Sequence, residues 1–66
     1  MITRPLAEYM QRYDLTSALL AEQTQISRQR IDYWLVQGHG YVTYDMGTGA
    51  LRRITLEKRK IVYENV

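Results

Sequence analysis

The residues of this chain best suited to chemistry are five polar side chains near the middle of the sequence. Ser27 is followed directly by Arg28 and Gln29, and Asp32 and Tyr33 come about one helical turn later. Arginine can donate two hydrogen bonds to guanine, glutamine can bond adenine in the same bidentate way, and serine can contact either base. These residue types favour the reading of base edges in DNA, and we expect Arg28 and Gln29 to contribute most to it.

Two charged residues of this stretch have more than one interpretation. Asp32 follows Arg28 by four residues, so it could orient that guanidinium, accept a hydrogen bond from cytosine or form a surface ion pair, and the ion pair is the plainest of the three. Arg30 falls on the other side of the same helix from Arg28. We therefore expect Arg30 to contact phosphate or solvent rather than a base.

Other groups suit contacts with the phosphates that flank a groove. Thr16 and Ser17 stand where a helix can begin, and helix N-termini attract anions. His39 suits a phosphate or helix-end contact better than a metal, because no second histidine and no cysteine accompany it. Lys58 and Arg59 are expected to contact phosphate, although a solvated turn explains that charged run about equally well.

Length, composition and charge narrow the class of protein. The 66 residues hold no cysteine, and the scattered carboxylates lack a candidate nucleophile, so no enzyme activity, cofactor or small-molecule ligand is expected. Residues 28–66 hold seven basic and four acidic side chains, a balance that suits a polyphosphate partner. Neither a membrane span nor a signal peptide stands out, so we expect residues 1–66 to form a single cytoplasmic domain.

The elements that must position these side chains begin with three short helices. Thr3 can cap a first helix over about 4–13, with Pro5 in its first turn. A second helix can open at Thr16 or Ser17. The third is predicted over about 28–36, after a Ser27 cap and before a terminating Gly38.

Beyond the third helix the apolar period changes from 3.6 to 2. This pattern predicts a strand over 41–46 and, after a glycine-rich turn, a second strand over 50–56. Residues 61–66 form either a third strand or an extended tail that docks elsewhere. The predicted class is therefore α+β, with three short N-terminal helices followed by a C-terminal antiparallel β-hairpin or a small three-stranded sheet.

The second and third helices have the spacing of a helix-turn-helix. Ala21 is small enough for the two helices to cross closely, Ile26 fills the turn, and Ile31 and Trp34 form the inner stripe of the third helix. Gln25 stands where this motif commonly has a glycine in a left-handed turn. In such a motif the start of the third helix faces the major groove.

The order of these elements and the stretch from Leu15 to Leu35 resemble the Cro family of lambdoid phage repressors, and the resemblance covers residues 2–56. Thr24 departs from the pattern, since a larger apolar residue is usual there. The resemblance implies a sequence-specific repressor that binds a pseudo-palindromic operator as a homodimer, in the cytoplasm of a bacterial host and associated with its nucleoid.

The resemblance also implies a dimer interface. In the family the hairpin strand pairs with its twin across a two-fold axis, and Ile54, Thr55 and Leu56 occupy the matching segment. A third strand formed by 61–65 is the competing explanation for the apolar surface of the hairpin. Two other functions stay open: an excisionase-like architectural factor that bends DNA, and a protein-interaction module that binds no DNA.

Overall fold

In the computed structural model, which describes residues 1–57 and 60–65, three helices pack on one face of a four-stranded sheet. The elements along the chain are β1 (Ile2–Pro5), α1 (Leu6–Arg12), α2 (Ser17–Thr24), α3 (Arg28–Gln37), β2 (Tyr41–Tyr44), β3 (Leu51–Thr55) and β4 (Ile61–Glu64). The strands lie side by side in chain order, and each neighbouring pair is antiparallel.

The predicted fold class is wrong at the N-terminus, where a strand precedes the helices. Thr3 lies opposite Thr43 of β2, and their hydroxyl oxygens are 2.8 Å apart. Thr3 therefore does not cap α1, which begins at Leu6. The residue before a proline avoids the helical conformation, so Arg4 stays extended ahead of Pro5. The edge of β2 then supplies a partner for this extended segment, and the sheet has four strands.

The starts of α2 and α3 are confirmed by their caps. The Thr16 hydroxyl accepts a hydrogen bond from the backbone N–H of Leu19, and the Ser27 hydroxyl accepts one from the N–H of Arg30, both at 3.2 Å. Gly38 ends α3 in the left-handed conformation, with φ at 71°. Within the described residues, no helix has the length and apolar character needed to cross a membrane.

The C-terminal part of the sheet settles the alternative left open for the last residues. The predicted hairpin is present, although both of its strands are shorter than the predicted ranges. Ile61–Glu64 then pairs with β3 on the side opposite β2, so this segment is a strand of the sheet rather than a tail. β3 is consequently an interior strand, and β1 and β4 form the two edges.

The core lies between the helices and the inner face of the sheet. Its fully or nearly buried apolar residues are Leu6, Tyr9, Met10, Leu20, Ile26, Ile31, Trp34, Val42, Tyr44, Leu51 and Ile54. All three helices contribute to this set, and so do the two middle strands. The core therefore fixes α2 and α3 in one orientation relative to the sheet, which leaves the opposite side of α3 facing solvent.

Candidate nucleic-acid interface

The turn between α2 and α3 is closed by two adjacent polar residues. Gln25 adopts the left-handed conformation, with φ at 63°, and its backbone N–H donates to the carbonyl of Ala21 at 2.8 Å. The buried Thr24 hydroxyl donates to the carbonyl of Leu20 and accepts from the N–H of Ile26, at 2.8 and 3.3 Å. Thr24 thus satisfies two backbone groups that a larger apolar side chain would leave without this partner.

We expect Gln25→Gly to stabilise the fold. A non-glycine residue in the left-handed region costs about 1–2 kcal/mol, and glycine removes that cost while adding freedom to the unfolded chain. The variant also loses the exposed bond from the Gln25 amide to the carbonyl of Glu22. The expected net gain is about 1 kcal/mol in the free energy of unfolding, measured by urea denaturation.

A matched control uses a glutamine two positions earlier. Gln23 is exposed inside α2, where glycine lowers stability by about 1 kcal/mol relative to good helix formers. Gln23→Gly should therefore be less stable than the wild type, and Gln25→Gly more stable. Destabilisation of similar size in both variants would show that the conformation of Gln25 carries no strain.

The start of α2 is joined to α3 by one carboxylate. The Ser17 hydroxyl donates a hydrogen bond to one oxygen of Asp32, and the other oxygen lies 3.8 Å from Nε of Arg28. The ion pair expected between Arg28 and Asp32 is therefore present. Asp32 therefore contacts two residues of its own chain, and its ion pair with Arg28 lies near the N-terminal end of α3.

The side of α3 that faces away from the core carries a short row of exposed residues, which we call the outward row: Gln29, Tyr33 and Val36. With about 100° between successive residues, all three fall within about 60° of one another and opposite the buried Ile31 and Trp34. Tyr33 is 60% exposed and Val36 is 81% exposed. Gln29 and Tyr33 are among the residues predicted to read bases. Val36 is not, although its spacing of three residues from Tyr33 places it on the same face of the helix.

Two arginines flank the outward row on opposite sides. Arg28 lies at the N-terminal end of α3, directly after the exposed Ser27 cap. Arg30 lies on the other flank, and its guanidinium carbon is 5.1 Å from the ring centroid of Trp34, in a cation–π contact. Arg28 and Arg30 therefore lie on opposite sides of α3, as predicted.

His39 lies beyond the C-terminal end of α3 and contacts the segment that follows β3. Its Nδ1 is 2.7 Å from a carboxylate oxygen of Glu57. Both side chains border a groove of about 350 Å³, which is lined by Tyr33, Trp34, His39, Leu56, Glu57 and Lys60. The histidine that was predicted to contact phosphate is therefore paired with a carboxylate instead of standing free on the outward row.

Among the other predicted phosphate contacts, the structure describes only the pair at the start of α2. Thr16 and Ser17 lie at the start of α2, as predicted, although both hydroxyls make contacts within the chain. Lys58 and Arg59 lie outside the described residues.

The predicted dimer joint through Ile54, Thr55 and Leu56 is not compatible with this sheet. Ile54 is fully buried, with Val42 of β2 opposite it on one side and Tyr63 of β4 on the other. An interior strand has already used its backbone hydrogen bonds on both sides, so it cannot also pair with a second copy of itself. Thr55 and Leu56 are half-buried beside it.

The described residues therefore bring together the start of α2, a tight turn and an outward row flanked by two arginines. His39 borders the groove beside Tyr33 rather than the row itself, and Ile54 of β3 is buried away from the row. In comparisons with protein-family models, with curated proteins and with solved structures, the chain matches none.

Proposed function

We propose that this chain is a sequence-specific DNA-binding protein that inserts α3 into the major groove and acts as a transcriptional repressor. The observation that supports the proposal is the outward row of α3, where hydrogen-bonding and apolar side chains face solvent between two arginines. A ten-residue helix is about 15 Å long. With side chains a helix is about 10–12 Å across, so it fits the major groove, which is about 12 Å wide, and its length lets several residues meet base edges at once.

Each polar residue of this surface has a matching group on DNA. Gln29 can bond N6 and N7 of adenine, and Arg28 can bond O6 and N7 of guanine. Arg30 and the start of α2 are suited to phosphate, because they flank the outward row rather than lie on it. The proposed surface thus combines base contacts, which give specificity, with phosphate contacts, which position the helix.

The proposal includes a homodimer on a pseudo-palindromic operator. Two copies of α3 must then reach successive major grooves, about 34 Å apart. Because β3 is interior, strand pairing between copies would use one of the sheet edges, β1 or β4. Repression follows from occupying the operator and excluding polymerase, and the corresponding location is the cytoplasm of a bacterial host.

Selection of bound fragments from random DNA tests the proposal. We expect one compact palindromic consensus and an affinity that falls steeply with salt, by about 0.9 log units per log unit of salt for each phosphate contacted. Tandem direct repeats with a strong bend would support an architectural role instead. An affinity that does not change between about 50 and 200 mM salt would contradict DNA binding and favour a protein partner.

Two arginines of α3 should respond differently to alanine substitution. Arg28→Ala is expected to flatten the base preference at one operator position, because a bidentate guanine contact contributes about 1–3 kcal/mol of discrimination. Arg30→Ala is expected to weaken all sequences about equally and to reduce the salt slope by about one unit. The measurement is the affinity of each variant for the selected operator and its single-base variants at two salt concentrations.

The two substitutions are matched in residue type and lie on one helix, so each is a control for the other. Circular dichroism should show that both variants remain folded. A uniform loss of affinity in Arg28→Ala, with a changed base preference in Arg30→Ala, would mean that the helix meets the groove with its other flank.

A further inference from the structure

Two of the three residues on the outward row are apolar or largely so. Val36 is 81% exposed and Tyr33 is 60% exposed, whereas Ile31 and Trp34 on the opposite side of α3 are buried in the core. The solvent face of a surface helix is normally polar. Tyr33 borders the groove beside Leu56, but its exposed part and the neighbouring Val36 form an apolar patch that extends beyond the contacts of α3 with its own chain.

The residues of the row are farther apart along the helix than successive bases are along a DNA strand. Along the helix axis, Gln29 and Tyr33 are separated by about 6 Å and Tyr33 and Val36 by about 4.5 Å. Successive bases of one strand are about 3.4 Å apart. With α3 lying in the groove, each residue of the outward row can meet a different base pair.

Charge indicates what covers this patch. Arg28, which is paired with Asp32, lies on one flank of the patch and Arg30 lies on the other, and Gln29 continues the patch toward the start of α3. Cationic side chains on both sides suit a partner whose edges are anionic and whose centre offers both hydrogen-bonding and apolar groups. The major groove has this arrangement, because phosphates line its two sides and the C5-methyl group of thymine lies on its floor.

We propose that Tyr33 and Val36 contact the C5-methyl groups of thymines, so that the operator of this protein carries thymine at the positions that these two residues meet. The inference rests on the proposed function and names the bases that α3 selects. Thymine and cytosine differ at this edge of the groove by the methyl group and by the group at C4. An apolar contact made by valine selects for the methyl group, since valine has no hydrogen-bonding side chain.

Deoxyuridine provides the test, because it pairs as thymine does and lacks only the C5-methyl group. The intact chain is titrated with its selected operator and with operators in which one thymine at a time is replaced by deoxyuridine. We expect the replacement to weaken binding roughly three- to fivefold at one or two positions, the effect of removing one buried methyl group. At other positions the affinity should not change.

The same titrations with variants assign the contact to residues. Val36→Ala should bind the thymine operator more weakly and should lose its sensitivity to deoxyuridine at one position, and Tyr33→Ala should do the same at a neighbouring position. Leu19→Ala is the matched control, because Leu19 is an apolar residue of α2 that is 51% exposed. This control should keep the full sensitivity of the wild type.

The titrations distinguish the loss of the methyl contact from the absence of DNA binding. If the operator binds with the expected salt dependence but no deoxyuridine replacement changes the affinity, the methyl contact is overturned and DNA binding stands. Sensitivity that survives in both Val36→Ala and Tyr33→Ala also overturns it, because another side chain then reads the methyl group. If no sequence is selected at all, both the inference and the proposed function are wrong.

Discussion

Gly49→Ala is expected to remove most of the stability of this domain. Gly49 has a φ of 77°, and a Cβ atom added there would lie 2.6 Å from Cε1 and 2.9 Å from Cζ of Tyr13. The left-handed conformation costs a non-glycine residue about 1–2 kcal/mol, and overpacking adds about 1–3 kcal/mol. The expected loss of about 2–5 kcal/mol is measured by urea denaturation.

The aromatic cluster around Gly49 leaves little room for adjustment. The rings of Tyr9, Tyr13 and Tyr44 contact one another, with centroids 4.7 to 5.6 Å apart. The Tyr9 hydroxyl donates to the carbonyl of Gly49 at 2.8 Å, and burial raises the pKa of Tyr9 above its ordinary value. Movement of Tyr13 away from an added methyl group would therefore disturb the whole cluster.

Gly38→Ala is the control that separates backbone strain from the clash. Gly38 has nearly the same φ, 71°, but a Cβ atom there would have nothing within 4 Å. Only the conformational cost of about 1–2 kcal/mol should appear. Equal losses in Gly38→Ala and Gly49→Ala would contradict the close contact between Gly49 and the Tyr13 ring.

Ile54→Asp is expected to unfold the chain rather than to produce folded monomers. The Ile54 side chain is fully buried between the helices and the sheet, so the substitution removes a large apolar group and places a carboxylate among apolar neighbours. Each effect alone costs several kcal/mol, and we expect a combined loss of more than about 4 kcal/mol. Circular dichroism and sedimentation together measure the folded fraction and the molecular mass.

Ile61→Asp is the matched control on the neighbouring strand. Ile61 lies in the edge strand β4 and is 49% exposed, so the new carboxylate can be hydrated. Its effect on the free energy of unfolding should stay within about 1 kcal/mol. If instead Ile54→Asp melted like the wild type while a wild-type dimer became a monomer, β3 would be a joint between copies and its interior place in the sheet would be wrong.

Two parts of the fold were predictable because their determinants lie within a few residues of one another. Thr16 and Ser27 cap the helices that follow them, and Gly38 ends α3 in the conformation that glycine adopts most readily. Gln25 stands where the motif commonly has a glycine in a left-handed turn, and it adopts that conformation. Caps and turns depend on short-range hydrogen bonds and on backbone handedness, which local sequence encodes.

The parts that were missed depend on residues far apart in the chain. The segment 2–5 became a strand because β2 offers it an edge about 40 residues later, and no local pattern distinguishes that outcome from the start of a helix. Ile54 was predicted to join two copies of the chain, whereas β3 lies between β2 and β4, and the pairing of β4 with β3 could not be read from the charged residues between them. Whether a segment forms a strand depends more on such distant partners than on the intrinsic preferences of its residues.

The candidate site shows the same division. The two flanks of α3 and the face shared by Gln29 and Tyr33 follow from the sequence alone, because a period of 3.6 residues fixes which side chains share a face of a helix. The exposure of Val36 on that face and the pairing of His39 with Glu57 could not be predicted from the sequence and are seen only in the folded structure. Exposure and ion pairing depend on which surfaces the rest of the chain covers, and that is settled only when all four strands and three helices have packed together.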